Sequence, residues 1–324
     1  PFYRFGSQIV MEKAFYAALP FWRHWVYRQP MPECSAVQGI MGYCTELFDC
    51  AELQSKRILK IVDCANSHPV TYRGFWQREC DLWCPGEKVP IPTSMFSRMN
   101  RELERADMIM VQSKFCKDSM VLNGIPADKV FINPMGVDTR VFVPRTVVPD
   151  HPRFVNVGTI CLRKGHQYLF RAFEIVKNVL PDAELVCIGS YKTDFRKERP
   201  KWEGTFTHYT SVSHPELALL LQKCTAFVFP SQEEGIGRAQ IEALAAGLPV
   251  IGTHEGGTTT LVDDGVEGYI ARGRDPEHIA ECMIRAAQDR HANLRMGQAA
   301  YLKGSFGNSW QDYGDRLLDA ISKI

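Results

Sequence analysis

The amino-acid sequence predicts an α/β protein made of two doubly wound domains, each with a parallel sheet, that face each other across a cleft. Short apolar runs alternate with amphipathic helical segments on both sides of residue 145, which is typical of parallel sheets covered on both faces. Residues 144–152, PRTVVPDHP, hold three prolines and favour an extended linker. The length of 324 residues is about twice that of a typical domain and agrees with this division.

Each half of the chain is predicted to contain several strand–helix units. In the first half, strands are predicted at residues 57–64, 108–113 and 129–134, with helices at 97–106 and 114–124. In the second half, strands are predicted at residues 154–158, 184–190, 226–231 and 248–253, with helices at 166–181, 215–224 and 237–247. Gly124, Pro181 and Gly247 mark the ends of helices.

Composition argues against several classes of protein. The chain carries 38 Lys and Arg against 37 Asp and Glu, so its net charge of +1 favours no nucleic-acid partner. No apolar run reaches the ~18–20 residues that cross a bilayer. The 11 cysteines form no C-x-x-C pair and no other zinc-binding pattern. We therefore expect reduced, mostly buried thiols and a cytoplasmic protein.

The first 30 residues are unusually aromatic, and basic residues such as Arg23 and Arg28 lie among the rings. One interpretation is a surface that contacts a membrane peripherally, because aromatic and basic residues together suit the lipid–water interface. The other interpretation, which we favour, is a pair of helices packed on the first sheet. The aromatic residues are Phe2, Tyr3, Phe5, Phe15, Tyr16, Phe21, Trp22, Trp25 and Tyr27.

Residues 230–250, PSQEEGIGRAQIEALAAGLPV, hold the most informative pattern. Gly235 and Gly237 carry no side chain, so backbone amides at the start of the following helix can approach a phosphate or a sugar closely. Glu234 lies in this loop. Glu242 lies eight residues later among apolar neighbours, where a buried carboxylate needs a polar partner such as ligand hydroxyls. The alternative is that Glu242 lies on the solvent face of the helix.

Several segments together resemble the retaining glycosyltransferases of the GT-B fold, in the large family four (glycosyl transferases group 1). Residues 230–250 resemble the Glu-x(7)-Glu signature of that family, with Glu234 and Glu242 as its two glutamates. Residues 136–142 (GVDTRVF), 157–165 (VGTICLRKG) and 309–321 also resemble family segments, in the same order. The resemblance covers most of residues 97–324 and is weak over residues 1–60.

The resemblance implies two domains of different roles. Residues 1–145 would form the acceptor-side domain, residues 146–308 the domain that binds a nucleotide-sugar donor, and residues 309–324 a closing helix that returns to the first domain. Family members open with a short strand and a glycine-rich loop. The sequence indicates neither, so we expect the first domain to be shortened at its start.

The resemblance also implies roles for individual residues. Glu234 would hold hydroxyls of the transferred sugar, and Glu242 would bind the ribose of the nucleotide. Arg163 and Lys164 would bind the diphosphate, whose growing negative charge needs a cation; a solvated loop pair is the alternative. The chain has no D-x-D pattern, so no metal and no other cofactor is expected. The remaining donor-binding positions are Gly158, Thr159, Gly235, Ile236 and Gly237.

Family members retain the anomeric configuration, with a donor phosphate oxygen taking the proton of the acceptor, so no separate general base is required. His68 follows the predicted strand at residues 57–64, at the sheet edge where open α/β folds bind ligands. It is a candidate catalytic residue close to the donor sugar. The alternative is a structural loop histidine.

The expected function is transfer of a hexose from a UDP- or GDP-sugar to a glycan or a lipid-linked acceptor. The alternatives are a catalytically silent nucleotide-sugar-binding module and a sugar phosphorylase or epimerase of the same fold. The chain departs from the family pattern at Thr159, Arg238, Ala239 and Thr260, which leaves the donor sugar open. A nicotinamide dehydrogenase is disfavoured because no G-x-G-x-x-G follows a strand, and the spacing around Lys164 does not match a P-loop.

Overall fold

The computed structural model describes residues 18, 21–29, 33–50, 58–86, 89 and 91–324, and two parallel sheets organise them. The first sheet has the strand order β1-β2-β3-β4, and each neighbouring pair is parallel. Its carboxyl ends therefore meet at one edge. The strands are β1 (Ala36–Ile40), β2 (Leu59–Cys64), β3 (Met108–Val111) and β4 (Val130–Ile132).

Helices alternate with these strands in the first domain. Every residue of β3 is buried, as expected for a strand of a parallel sheet that is covered on both faces. The buried core joins Val62, Ile109 and Val111 of the sheet to Leu103 and Phe115 of the helices. The helices are α1 (Thr45–Phe48), α2 (Pro69–Trp83), α3 (Thr93–Arg105) and α4 (Lys114–Leu122).

The second sheet has six parallel strands in the order β10-β9-β8-β5-β6-β7. From β5 the chain runs outward to β7 and then returns to β8 on the other side of β5. This reversal is a topological switch point, and it opens a crevice between the carboxyl ends of β5 and β8. The strands are β5 (Arg153–Val157), β6 (Glu184–Ile188), β7 (Thr207–Tyr209), β8 (Ala226–Phe229), β9 (Val250–Thr253) and β10 (Gly268–Ala271).

Helices connect the strands of the second sheet. All residues of β8 and β9 are buried, so the apolar runs that predict these strands in the sequence form the centre of the domain. The helices are α5 (His166–Val179), α6 (Arg199–Trp202), α7 (His214–Leu221), α8 (Arg238–Ala245), α9 (Pro276–Gln288) and α10 (Arg290–Ser305).

The last helix, α11 (Trp310–Ser322), packs against the first sheet. A capping box between Ser309 and Asp312 starts this helix. Arg316 Nε donates to Asn133 Oδ1 at 2.8 Å, just after β4. The apolar contact joins Tyr313, Leu317, Ala320 and Ile321 of α11 to Ile61, Met108 and Met110 of the sheet.

Several elements of the structure are absent from the sequence prediction: β1, β7, β10, α1, α2, α6, α9 and α10. The sequence indicates no opening strand before residues 57–64, but the structure has β1 there. Strand β1, AVQGI, escapes prediction because Gln38 and Gly39 interrupt its apolar pattern. The loop that follows β1 binds a carboxylate of the protein itself. Glu102 Oε1 accepts from the amides of Cys44 at 3.0 Å and Thr45 at 2.8 Å.

The aromatic residues near the start of the chain are only partly described. Residues 21–26 are helical, and the described rings of this segment, Phe21, Trp22, Trp25 and Tyr27, are between 42% and 78% exposed. For these four side chains the prediction of packing on the first sheet is wrong. Phe2, Tyr3, Phe5, Phe15 and Tyr16 lie outside the described residues. Among the described helices, none combines the length and the apolarity that a membrane span needs.

All eleven cysteines are free thiols, and ten of them are buried, as predicted. Within the described ranges, no three His, Cys, Asp or Glu side chains are grouped as ligands for a metal ion.

Arg145, at the start of the predicted linker, attaches that segment to the second domain. Its guanidinium donates to the carbonyl oxygens of Gly247 at 2.9 Å, Cys224 at 2.7 Å and Asn293 at 3.3 Å. Gly247 and Cys224 lie just beyond the ends of α8 and α7, so their carbonyl oxygens need partners from elsewhere. Burial lowers the pKa of Arg145 to about 10. The side chain therefore remains charged at neutral pH.

We expect Arg145→Ala to lower the free energy of unfolding of the second domain by about 3 kcal/mol. The substitution removes the donor from three buried carbonyls, and each unpaired buried polar group costs about 1–3 kcal/mol. Urea denaturation followed by circular dichroism measures the effect. The matched control is Arg140→Ala, which removes an exposed pair with Asp138 and should leave the midpoint unchanged. Equal midpoints for the two variants would contradict this account of Arg145.

Candidate functional site

The switch-point crevice lies between two loops of the second domain. Residues 158–165 follow β5, and residues 230–237 follow β8. A cavity of about 420 Å³ opens here, at the position where α/β sheets bind ligands. Its wall includes five residues that the sequence assigns to donor binding: Gly158, Thr159, Lys164, Gly237 and Glu242.

Glycines allow the loop at residues 230–237 to approach its neighbours closely. A Cβ atom on Gly235 would lie 2.2 Å from the carbonyl oxygen of Ala65, which belongs to the first domain. Gly237 precedes α8 with a φ of +63°, in the left-handed region that favours glycine. Ile236 between them is buried in the core of the second domain, so its side chain does not line the cavity.

The predicted basic pair and the first signature glutamate meet at this crevice. Lys164 Nζ lies 2.6 Å from Glu234 Oε2, and Arg163 Nη1 lies 3.5 Å from the same oxygen. These side chains are between 13% and 16% exposed, so the pairs are shielded from solvent. The structure therefore brings Arg163, Lys164 and Glu234 together, and their role in donor binding stays a prediction.

The electrostatic consequence is a firmly ionised carboxylate. Burial opposes the ionisation of Glu234, but the positive charges of Lys164 and Arg163 outweigh it and lower its pKa to about 2. Burial also opposes the charge of Arg163, but Glu234 and Glu233 outweigh it and raise its pKa. Glu234 is therefore negative and Arg163 positive at neutral pH.

Glu233 is a site residue to which the sequence reasoning assigned no role. It is fully buried, and its carboxylate lies 2.9 Å from Arg163 Nη1. Its other partners, Asn66 and Ser67, come from the first domain. Burial raises the pKa of Glu233, and Arg163 acts against that rise. The sequence does not indicate this role, because the partners of Glu233 are 70 or more residues away along the chain.

Glu242, the second signature glutamate, lies on α8 and is only 5% exposed, so it is not on a solvent face. Arg238 Nε lies 3.1 Å from its Oε1, and His214 Nε2 lies 3.8 Å from the same oxygen. Burial raises the pKa of Glu242, while Arg238 and His214 act against that rise. Arg238, one of the departures from the family pattern, thus contacts the predicted ribose-binding carboxylate directly.

His68 is not among the residues that line this cavity. It is the N-cap of α2, and its Nδ1 accepts a hydrogen bond from the Val70 amide at 3.3 Å. The ring is 6% exposed, and burial lowers its pKa. The structure therefore gives His68 a helix-capping contact, and its catalytic role stays a prediction.

Two parallel-sheet domains, with the site at the switch point of the second, define the GT-B class of α/β proteins. Solved structures share this fold. Sucrose-phosphate synthase from Thermosynechococcus elongatus aligns with a TM-score of 0.71 at 18% identity, covering 89% of this chain and 73% of the other. HepE from Anabaena, solved with UDP and glucose, aligns with a TM-score of 0.65 at 14% identity, covering 83% and 72%.

Residues 141–303, half of the chain, match the family model described as glycosyl transferases group 1. The chain belongs to this family, which confirms the resemblance to the glycosyl transferases group 1. A curated relative, the D-inositol 3-phosphate glycosyltransferase of Paenarthrobacter aurescens, is 30% identical in an alignment of 245 residues that covers 70% of this chain. The sulfoquinovosyl transferase of Arabidopsis thaliana is 27% identical over 212 residues, or 60% of this chain.

The matched regions make up 59% of the Paenarthrobacter relative and 40% of the Arabidopsis relative. The chain therefore spans less than two thirds of the length of these curated relatives.

Proposed function

We propose that this chain is a retaining, metal-independent glycosyltransferase that moves a hexose from a UDP- or GDP-sugar to a glycan or a lipid-linked acceptor. One observation carries the proposal. Lys164 and Arg163 converge on Glu234 at the carboxyl edge of the second sheet, and Lys164 lines the cavity that also contains Glu242. The two fixed cations suit the diphosphate of a nucleotide-sugar donor. The carboxylate beside them suits the hydroxyls of the transferred sugar.

The cations supply the electrostatic part of the reaction. Breaking the glycosidic bond leaves negative charge on the departing diphosphate, and positive groups already held in place stabilise that charge most effectively. The Lys164 ammonium and the Arg163 guanidinium are both largely shielded from water, which strengthens their interaction with a phosphate. We therefore assign diphosphate binding to these two residues, with no metal ion required.

The carboxylates hold the two sugars of the donor. Glu234 remains ionised because its pKa is lowered to about 2, so it accepts hydrogen bonds from hydroxyls of the transferred hexose. Glu242, buried at the cavity wall, accepts from the ribose hydroxyls. Backbone amides at Gly235, Ile236 and Gly237 complete the contacts near the start of α8.

Retention follows if the acceptor attacks on the face from which the diphosphate leaves. A donor phosphate oxygen then takes the proton of the acceptor, and no side chain acts as general base. The lowered pKa of His68 and its capping contact fit a protein that does not depend on an imidazolium at this position. Contact between His68 and the donor sugar remains the alternative assignment.

The relatives support a nucleotide-sugar donor and a glycan or lipid acceptor. HepE is solved with UDP and glucose, and a 25% identical relative from Corynebacterium glutamicum is named as a GDP-mannose-dependent mannosyltransferase of a monoacylated phosphatidylinositol mannoside. The alternatives are a silent nucleotide-sugar-binding module and a sugar phosphorylase or epimerase. Both glutamates and both cations of the site are present, which favours an active transferase.

A thermal-shift panel of UDP, GDP, ADP and their sugars, in buffer with EDTA, tests the donor class. We expect one nucleoside diphosphate to stabilise the protein by ~2.7 kcal/mol at a hundredfold excess over its Kd. That gain corresponds to about 5–10 °C in the midpoint of a domain of this size. EDTA should leave the shift intact, because the cations come from Lys164 and Arg163. Stabilisation that requires added Mg²⁺ or Mn²⁺ would refute metal independence.

Lys164→Ala is expected to lower the rate of sugar transfer about 100- to 1000-fold, the usual cost of removing one group that stabilises developing charge. Glu234→Gln should lower it similarly without a change of size. Initial rates and the thermal midpoint are measured together. Lys201→Ala is the matched control, because Lys201 also lies 2.6 Å from a glutamate, Glu198, but does not line the cavity. Wild-type turnover in Lys164→Ala would overturn the site assignment.

We further propose that the protein acts in the cytoplasm and contacts a membrane peripherally through its aromatic segment. Among its described rings, Phe21 is 78% exposed and Trp25 is 54% exposed, and the Arg23 guanidinium lies over the Tyr27 ring. Exposed tryptophans next to arginine suit the surface of anionic lipid. A surface of this kind brings the enzyme to a lipid-linked acceptor.

Sedimentation with anionic phospholipid vesicles tests this contact. Phe21→Ala should weaken binding about tenfold, because burying a phenylalanine contributes about 1.5–3 kcal/mol. The matched control is Phe306→Ala, which removes a ring that is 70% exposed and lies between α10 and α11. Equal binding of the wild type and Phe21→Ala would rule out the contribution of this segment.

A further inference from the structure

The fully buried Glu233 carboxylate joins the two domains at the site. Its Oε1 accepts hydrogen bonds from the Ser67 amide at 2.9 Å and from Ser67 Oγ at 2.8 Å. Asn66 Nδ2 donates to its Oε2 at 3.1 Å. Asn66 and Ser67 belong to the loop after β2, in the first domain, whereas Glu233 follows β8 in the second. The loop that carries the signature glutamates is therefore attached directly to the other domain.

Arg163 contacts the same carboxylate from within the second domain. Its Nη1 lies 2.9 Å from Glu233 Oε2 and also donates to the Glu233 carbonyl oxygen. The guanidinium carbon lies 5.6 Å from the centre of the Tyr72 ring and 5.8 Å from that of Trp76. Both rings are on α2, in the first domain. The position of Arg163 thus depends on Glu233 and on the first domain together.

Glu234 follows Glu233 directly in the chain, and its carboxylate also contacts Arg163. The same Arg163 nitrogen that contacts Glu233 lies 3.5 Å from Glu234 Oε2. A movement of Glu233 therefore displaces the guanidinium and the backbone that carries Glu234 at the same time.

We propose that Glu233 is a positioning residue that couples the contact between the two domains to the placement of Arg163 and Glu234 at the donor diphosphate. The proposal rests on the glycosyltransferase function proposed above. When the domains are in contact, Asn66 and Ser67 fix the Glu233 carboxylate, and Glu233 in turn holds the Arg163 guanidinium beside Glu234. When the domains separate, Glu233 loses these donors and Arg163 loses the rings of α2, so neither side chain is held in this position.

Glu233→Gln and Ser67→Ala test the two sides of this contact. We expect Glu233→Gln to lower kcat about 100-fold, because misplacing a group at a reacting centre by about 1 Å has a cost of that order. The Kd of the nucleoside diphosphate should change less than about threefold, since Lys164 still contacts the phosphates and a misplaced Arg163 matters most where charge develops in the transition state. Ser67→Ala should lower kcat about tenfold with an equally small change in Kd. The double variant should be no slower than Glu233→Gln alone, because both substitutions act through one carboxylate.

Glu184→Gln is the matched control, since it removes the charge of a half-exposed glutamate paired with Arg153 and should behave as the wild type. Calorimetry gives Kd, and the thermal midpoint reports folding. Wild-type kcat in Glu233→Gln, additive effects in the double variant, or parallel losses of kcat, Kd and midpoint would each overturn the proposal. If Glu233→Gln does not fold, the split between kcat and Kd in Ser67→Ala decides. A wild-type protein that neither binds a nucleoside diphosphate nor transfers sugar refutes the proposed function itself.

Discussion

The arrangement of the two domains depends on four charged, largely buried side chains that lie together at the crevice. They are Arg163, Lys164, Glu233 and Glu234. Burying an ion is costly unless an opposite charge and hydrogen bonds compensate it. Here each carboxylate is within 3 Å of a cation, and Glu233 also accepts hydrogen bonds from the first domain. Because the compensation needs groups from both domains, the site is complete only where the domains meet. The close approach of Gly235 to Ala65 follows from the same requirement.

Helix α2 makes further contacts between the two domains, away from the site. Trp76 Nε1 donates to Asp194 Oδ2 at 3.1 Å, and Arg274 Nε lies 2.6 Å from Glu79 Oε1. In both pairs one residue belongs to α2 and its partner to the second domain. Glu79 is fully buried, so a separation of the domains exposes a charge that is now paired. Separating the domains would therefore cost free energy at α2 as well as at the cavity. The same contact holds the aromatic rings of α2 next to Arg163.

In the cavity wall, basic side chains surround the second glutamate of the family signature. Glu242 occupies the expected signature position, but Arg238 and His214 lie within 4 Å of its carboxylate. Arg238 is one of the positions at which the sequence departs from the family pattern, and it lines the cavity. A nucleotide that binds Glu242 through its ribose must therefore compete with this arginine or form its own contact with it. Under the proposed function, selection among donors then depends on Arg238 and His214 as well as on the signature.

The sequence by itself determined the alternation of strands and helices, the family, and the loops that carry Lys164 and Glu234. These features are local: apolar runs fix the buried strands, and the spacing of glycines and glutamates fixes the loop before α8. Only the tertiary structure decided that Glu233 joins the domains, that α2 contacts the second domain and that His68 caps a helix away from the cavity. The partners of Glu233 and α2 are distant in sequence, and no periodic pattern encodes such a pairing. Strand β1 escaped prediction for a related reason, because its pairing with β2 outweighs the weak local propensity of a glycine-containing segment.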